Sequence, residues 1–170
     1  MTDPMDSLVG LQEALDAGRV KLEEFQACAL HPEVRVYRDE PALGEMRLTY
    51  ALFDPVPAQP SRVRVRAVAL FVRADDYKGL PVFQAGIAVS EAARSQGLGT
   101  KLFKQSLDEL RYGFNRTLLK EFWIEAIVRQ DNKHSNRIAS RVLDPSPRTI
   151  IDDNSREPAF QYFMKVNVSV

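Results

Sequence analysis

Histidine, cysteine and net charge are all scarce in this chain. Among 170 residues there are two histidines, His31 and His134, and one cysteine, Cys28. A lone thiol cannot close an internal disulfide, and Cys28 stands in an apolar stretch with Leu22, Phe25 and Ala29, where it reads as a core filler. Histidines so far apart in sequence supply no metal-ligand spacing, so no metal is expected. The 23 Lys and Arg balance 23 Asp and Glu, so no global field draws the molecule to nucleic acid, and any anion site has to be local. No apolar run approaches a membrane span and no basic stretch leads into one near residue 1, so a cytoplasmic protein without membrane contact is expected. What remains is an ordinary globular composition, 45% hydrophobic and 27% charged, over a length that suits a single domain covering residues 1–170.

Two helices are expected first, in a segment over residues 1–32. Leu8, Leu11 and Leu15 recur at helical spacing, with Asp6 or Ser7 as N-cap and Gly18 as a stop. A second helix is expected over 21–29, ended by His31-Pro32. Four strand-like runs follow at 34–38, 46–53, 62–73 and 81–89, with turn chemistry at Glu40-Pro41 and Asp75-Asp76. Pro55, Pro57 and Pro60 make 54–61 a surface connection, because proline lacks a ladder donor. The period then changes: Leu98, Leu102, Phe103, Leu107 and Leu110 form one stripe of a helix from Gly97 to about residue 111. A strand at 122–129, a helix at 132–143 and a closing strand with Phe160, Tyr162, Met164, Val166 and Val168 on one face complete a mixed α/β pattern.

The segment Gln84 to Thr100 reads as strand, turn and helix start. A helix N-terminus offers unpaired N–H groups and the positive end of its dipole to a phosphate. Gly97 and Gly99 would let a pyrophosphate approach the backbone, Arg94 adds a charge and Thr100 a hydroxyl. A dinucleotide fingerprint would want a third glycine where Leu102 stands, and a nucleoside-triphosphate loop would want Gly-Lys-Ser or Gly-Lys-Thr, so both fail on residues.

Arg94-Ser95-Gln96-Gly97-Leu98-Gly99, with Val89 closing the strand before it, resembles the signature of the GNAT N-acetyltransferases. Asn132 and Ser135 after the next strand resemble the family's second motif. The resemblance implies an α/β fold with a mixed, mostly antiparallel central sheet, helices on both faces, and a splay after the fourth strand at Val89. It implies an acetyl-CoA-binding core over 82–143, with Ile87 and Val89 pairing with the pantetheine arm through their backbones. Arg94, Ser95, Gln96, Gly97, Leu98, Gly99 and Thr100 would cradle the diphosphate, Lys101 and Lys104 would reach the 3′-phosphate, and Asn132 and Ser135 would face the cofactor. Asn132 serves equally well as a helix N-cap. Acetyl-CoA is then co-substrate, an amine is the acceptor, and a homodimer is one open arrangement.

The sequence departs from the family at Ala139, where a proton-donating tyrosine is frequent. Tyr162, Ser140, Glu125 and Glu91 are the candidates left for acid or base. The alternative is a catalytically silent module on the same scaffold that binds acetyl-CoA or a partner. Arg62, Arg64 and Arg66 line up on one strand face and could hold nucleic-acid phosphates, but zero net charge argues against that partner.

Overall fold

The computed structural model describes residue 1 and residues 3–169. Helix α1 (Pro4–Asp16) starts earlier than the expected caps. Asp3 is the N-cap, its carboxylate accepting from the Met5 N–H at 2.8 Å, and Pro4 takes a first-turn position where its missing N–H costs nothing.

The second helix, expected over 21–29, does not form. One 3₁₀ turn at Leu22–Glu24 gives way to β1 (Gln26–Ala27), which pairs with β2 (Arg35–Ala42). The backbone here finds tertiary partners that a helix would forgo. The Cys28 N–H donates to the Val34 carbonyl at 2.9 Å. The buried Glu109 carboxylate accepts from the N–H groups of Ala29, Leu30 and His31 at 3.1, 2.6 and 2.6 Å. The apparent helical stripe is divided between two cores, Phe25 in one and Cys28 in the other.

Strands β2, β3 (Glu45–Val56), β4 (Gln59–Tyr77) and β5 (Leu80–Val89) form the expected antiparallel meander. They run longer than the sequence suggests, and the turns lie elsewhere. Pro41 sits at a register shift inside β2, and the chain reverses at Leu43 and Gly44. Asp75 and Asp76 lie within β4, and the reversal falls at Lys78 and Gly79, whose φ of 51° and 75° suit a two-residue hairpin. The proline-rich stretch belongs to the outer ends of β3 and β4, where the register shifts between Pro55 and Val56.

Helix α2 (Leu98–Phe114) leads from β5 to β6 (Glu121–Arg129), which lies parallel to β5. Helix α3 (Lys133–Val142) leads on to β7 (Arg148–Ile151), a short edge strand that the pattern did not reveal. Strand β8 (Pro158–Asn167) returns between β6 and β7, giving the sheet order β1-β2-β3-β4-β5-β6-β8-β7. Helices α2 and α3 share one face: Leu102, Phe103, Leu107, Ile138 and Ala139 pack with Tyr50, Phe71, Phe83, Phe122 and Ile124. Helix α1 covers part of the other face, with Leu8 against Ala51, Val65, Val68 and Ala88. Each large side chain buried this way contributes roughly 1.5–3 kcal/mol relative to exposure. No helix among the described residues is long and apolar enough to cross a membrane.

Two residues fix α2 in place. Glu109 ties it to the loop at 29–31. Gly99 lets it approach its neighbours: a Cβ there would fall 2.8 Å from Ile138 Cδ1 and 3.3 Å from Val89 Cγ2. The missing side chain therefore serves packing among α2, α3 and β5.

Glu109→Ala strips three N–H groups of their acceptor and is expected to cost about 2–3 kcal/mol. Urea unfolding should show a lowered midpoint at unchanged slope. Gly99→Val overpacks the junction and is expected to cost roughly 1–3 kcal/mol in the same experiment. A midpoint equal to wild type would contradict the packing described here.

Candidate functional site

Strands β5 and β6 are hydrogen-bonded neighbours at three rungs only, Val82 with Trp123, Phe83 with Ile124 and Gln84 with Glu125. Beyond them the strands part. The splay therefore begins at Ala85 and runs beside β5, instead of opening after Val89, and β1 makes this the fifth strand and not the fourth. The direction of the backbone along the gap follows from one hydrogen bond. The Ser90 N–H donates to the Arg66 carbonyl at 2.8 Å, so Ser90 faces β4. The unbroken antiparallel register then turns Ala88 and Gly86 to β4, and Val89, Ile87 and Ala85 to the gap.

A cavity of about 650 Å³ fills this gap. At its head the chain turns through Ser95 and Gly97, with φ of 64° and 70°. Gly97 is the N-cap of α2 and brings no side chain to it, so the opening N–H groups of the helix have no side-chain acceptor. Gly97 owes its identity to this left-handed conformation, since nothing lies within 4 Å of where its Cβ would be. Arg94 is exposed and its Nε donates to the Val89 carbonyl at 3.4 Å. Ile87, Val89, Arg94, Asn132 and Ser135 all line the cavity. Ser95, Gln96, Leu98, Gly99 and Thr100 form the turn and helix start above it without lining it. Lys101 and Lys104 lie on the exposed side of α2.

The opposite wall is the end of β6 and the start of α3. Asn132 is the N-cap, its Oδ1 accepting from the Ser135 N–H at 3.1 Å. Asn136, which sequence reasoning passed over, holds this wall together. Its Nδ2 donates to the carbonyls of Arg129 and Asn132 at 2.8 and 2.9 Å, and its Oδ1 accepts from the Tyr162 hydroxyl at 2.9 Å. A second asparagine in the opening turn, a poor helix former there, was the available signal.

The four acid-base candidates stand off the cavity. Tyr162 is buried, its phenol is committed to Asn136, and desolvation raises its pKa. Glu125 lies at the last paired rung, its oxygens taking Gln84 Nε2 at 3.0 Å and Gln161 Nε2 at 2.6 Å. Glu91 is exposed on a 3₁₀ turn and Ser140 is half-buried on α3. Ala139 does line the cavity, and so do His134 and groups the sequence did not single out: Asp3, Pro4, Asp152, Asn154 and Ser155. The Ser155 hydroxyl, donating at 2.7 Å, holds the Asp152 carboxyl below the usual carboxylate range. Cys28 is no nucleophile. Burial first, then Glu109 and Glu33, pushes its thiol up to about 12, leaving it neutral near pH 7. Arg62 pairs with Asp16 at 3.0 Å and Arg66 with Asp54 at 3.1 Å, so two of the three aligned arginines are engaged within the molecule. Among the described residues, no group of three or more His, Cys, Asp and Glu could hold a metal ion.

No family model and no curated protein matches the sequence. Solved structures do. A chain of the NatC complex bound to Gag peptide and CoA is similar with a TM-score of 0.53 at 13% identity, over 70% of this chain and 71% of that one. A GNAT-family acetyltransferase from Streptococcus pneumoniae gives 0.48 at 9% identity, over 75% and 70% of the two chains. The protein yncA from Salmonella typhimurium, solved with its cofactor acetyl-CoA, gives 0.47 at 17% identity, over 75% and 67%. At such identities the likeness speaks for the fold alone. The chain has the GNAT N-acetyltransferase fold.

Proposed function

We propose that this protein is a single-domain enzyme that transfers an acetyl group from acetyl-CoA to a primary amine, with the gap between β5 and β6 as the cofactor site. One observation carries this reading: the gap is flanked by the gap-facing backbone groups of Ile87 and Val89 and headed by the start of α2, which no side chain caps. A pantetheine arm carries two amides in line and suits addition to β5 as an extra strand. Its diphosphate suits the opening N–H groups of α2, with Arg94 beside them and Lys101 and Lys104 toward the 3′-phosphate. The cavity volume of about 650 Å³ falls in the range of small-molecule sites. The NatC chain, which shares the fold, was solved with CoA.

Acetyl-CoA supplies an activated acyl group as its thioester. The protein supplies position and proton management. A gap-facing backbone N–H near Val89, that of Ala85, Ile87 or Val89 itself, is a donor for the oxygen of a tetrahedral intermediate. Among the side chains lining the cavity, His134 offers an imidazole as the candidate general acid or base. Glu125, pinned by Gln84 and Gln161 on the sheet face that α1 partly covers, stands at the last rung before the two strands part.

A second reading, a silent acetyl-CoA-binding module, draws support from Ala139, which leaves no phenol at the cavity wall, and from the distance of Tyr162, Ser140, Glu91 and Glu125 from that wall.

Titration calorimetry should show saturable acetyl-CoA binding, weakened about ten- to a hundredfold by Arg94→Ala through loss of a charge-assisted contact. Absence of binding by the wild type would end the cofactor reading. His134→Ala should retain that binding while thiol release with an amine panel falls at least about a hundredfold. Turnover unchanged in His134→Ala would remove the histidine from the mechanism. Wild type that binds but transfers to no amine, with turnover gained in Ala139→Tyr, would select the silent module.

A further inference from the structure

Gly86 lies in the interior of β5, on the side of the sheet that faces α1. A glycine there weakens a strand and commonly marks a close approach by another group. The approach is visible: a Cβ at Gly86 would fall 2.5 Å from Pro4 Cγ and 3.0 Å from Met1 Cε, the tightest such contact of any glycine in the chain. Pro4 therefore rests on the strand at the point where β5 has lost its partner.

The position is held from behind. Gln12 Nε2 donates to the Val63 carbonyl at 3.0 Å, its Oε1 accepts from the Val65 N–H at 2.7 Å, and Arg62 pairs with Asp16 at 3.0 Å. These bonds lock α1 to β4, and the Asp3 cap sets the angle of its first turn. Pro4 and Met5 thus form a fixed apolar bank of the cavity. The facing bank is the β7–β8 loop with Asp152, Asn154 and Ser155. Arg94, Ser135 and Ala139 stand on the α2 and α3 side, so a donor entering there leaves the acceptor the mouth between these two banks.

We propose that Pro4, seated on Gly86, is the size filter for the acceptor, admitting amines whose nitrogen sits on an unbranched carbon and excluding those branched at that carbon. The inference rests on the assignment of the gap to acetyl-CoA. Pro4 stands on the α1 face of the sheet, whereas Arg94, Asn132 and Ser135 belong to the elements of the other face, so its effect falls on the acceptor side.

The test uses two isomeric probes, CoA joined through an acetyl bridge to n-butylamine or to tert-butylamine, with CoA itself as the reference in calorimetry. Wild type should bind the n-butyl conjugate at least about tenfold more tightly than the tert-butyl conjugate, the scale on which a pocket senses a methylene or so. Pro4→Ala, which trims the ring and keeps a good helix former at the start of α1, should collapse that ratio toward unity and leave CoA affinity unchanged. Gly86→Ala, which forces the head of α1 off the strand, should lower the ratio as well and serves if the first variant is poorly folded. Equal wild-type affinity for the two isomers, or a wild-type ratio retained in both variants, overturns the filter while the cofactor site stands. No binding of CoA by the wild type sinks the cofactor assignment, and the filter falls with it.

Discussion

The loss of a strand partner beyond Gln84 and Glu125 is the constraint around which the rest of the molecule is arranged. A buried backbone N–H or C=O without a partner costs roughly 1–3 kcal/mol, so a gap in the middle of a sheet persists only if its walls are held from outside. They are. Strand β5 keeps an unbroken register with β4 from Ala74 to Ala67, and β6 keeps one with β8 from Glu121 to Arg129. Each wall is therefore a strand satisfied along one edge and open along the other.

The elements that finish the walls are secured by polar side chains reaching for backbone groups. Glu109 fastens α2 to the loop before β2, Asn136 fastens α3 to the end of β6, and Gln12 fastens α1 to β4. In each case a single buried or half-buried side chain satisfies two or more backbone groups, which costs less than leaving them orphaned. Charge is handled just as locally. With no net charge to create a field, charge is balanced in pairs: Arg62 and Arg66 are spent on carboxylates of their own chain, while the head of α2 carries no side-chain cap.

Much of this was legible in the sequence, and the reason differs from place to place. The turn from Val89 to Gly99 could be read because its constraints are local: a strand end, a left-handed residue at Gly97, and a stripe at Leu98, Leu102 and Leu110. The meander and α3 were visible from periodicity. The stretch at 21–29 misled because Leu22, Phe25 and Cys28 do recur at helical spacing, while Phe25 and Cys28 pack on opposite faces of the sheet. Strand β7 was hidden by its length and its place between Pro147 and a polar loop.

The sequence by itself determined the type of most elements, the glycine-led start of α2 and the place of the lone cysteine among apolar residues, because spacing and charge within a few turns decide those. Only the tertiary structure decided where the sheet opens, which face each helix covers, and what stands around the cavity. Pro4 meets Gly86, Tyr162 meets Asn136, and Asp152 comes to the same cavity as His134. These meetings join residues far apart along the chain, and they are selected by burial and by the gain from pairing buried donors with acceptors. A local pattern carries no record of that selection until the strands are paired.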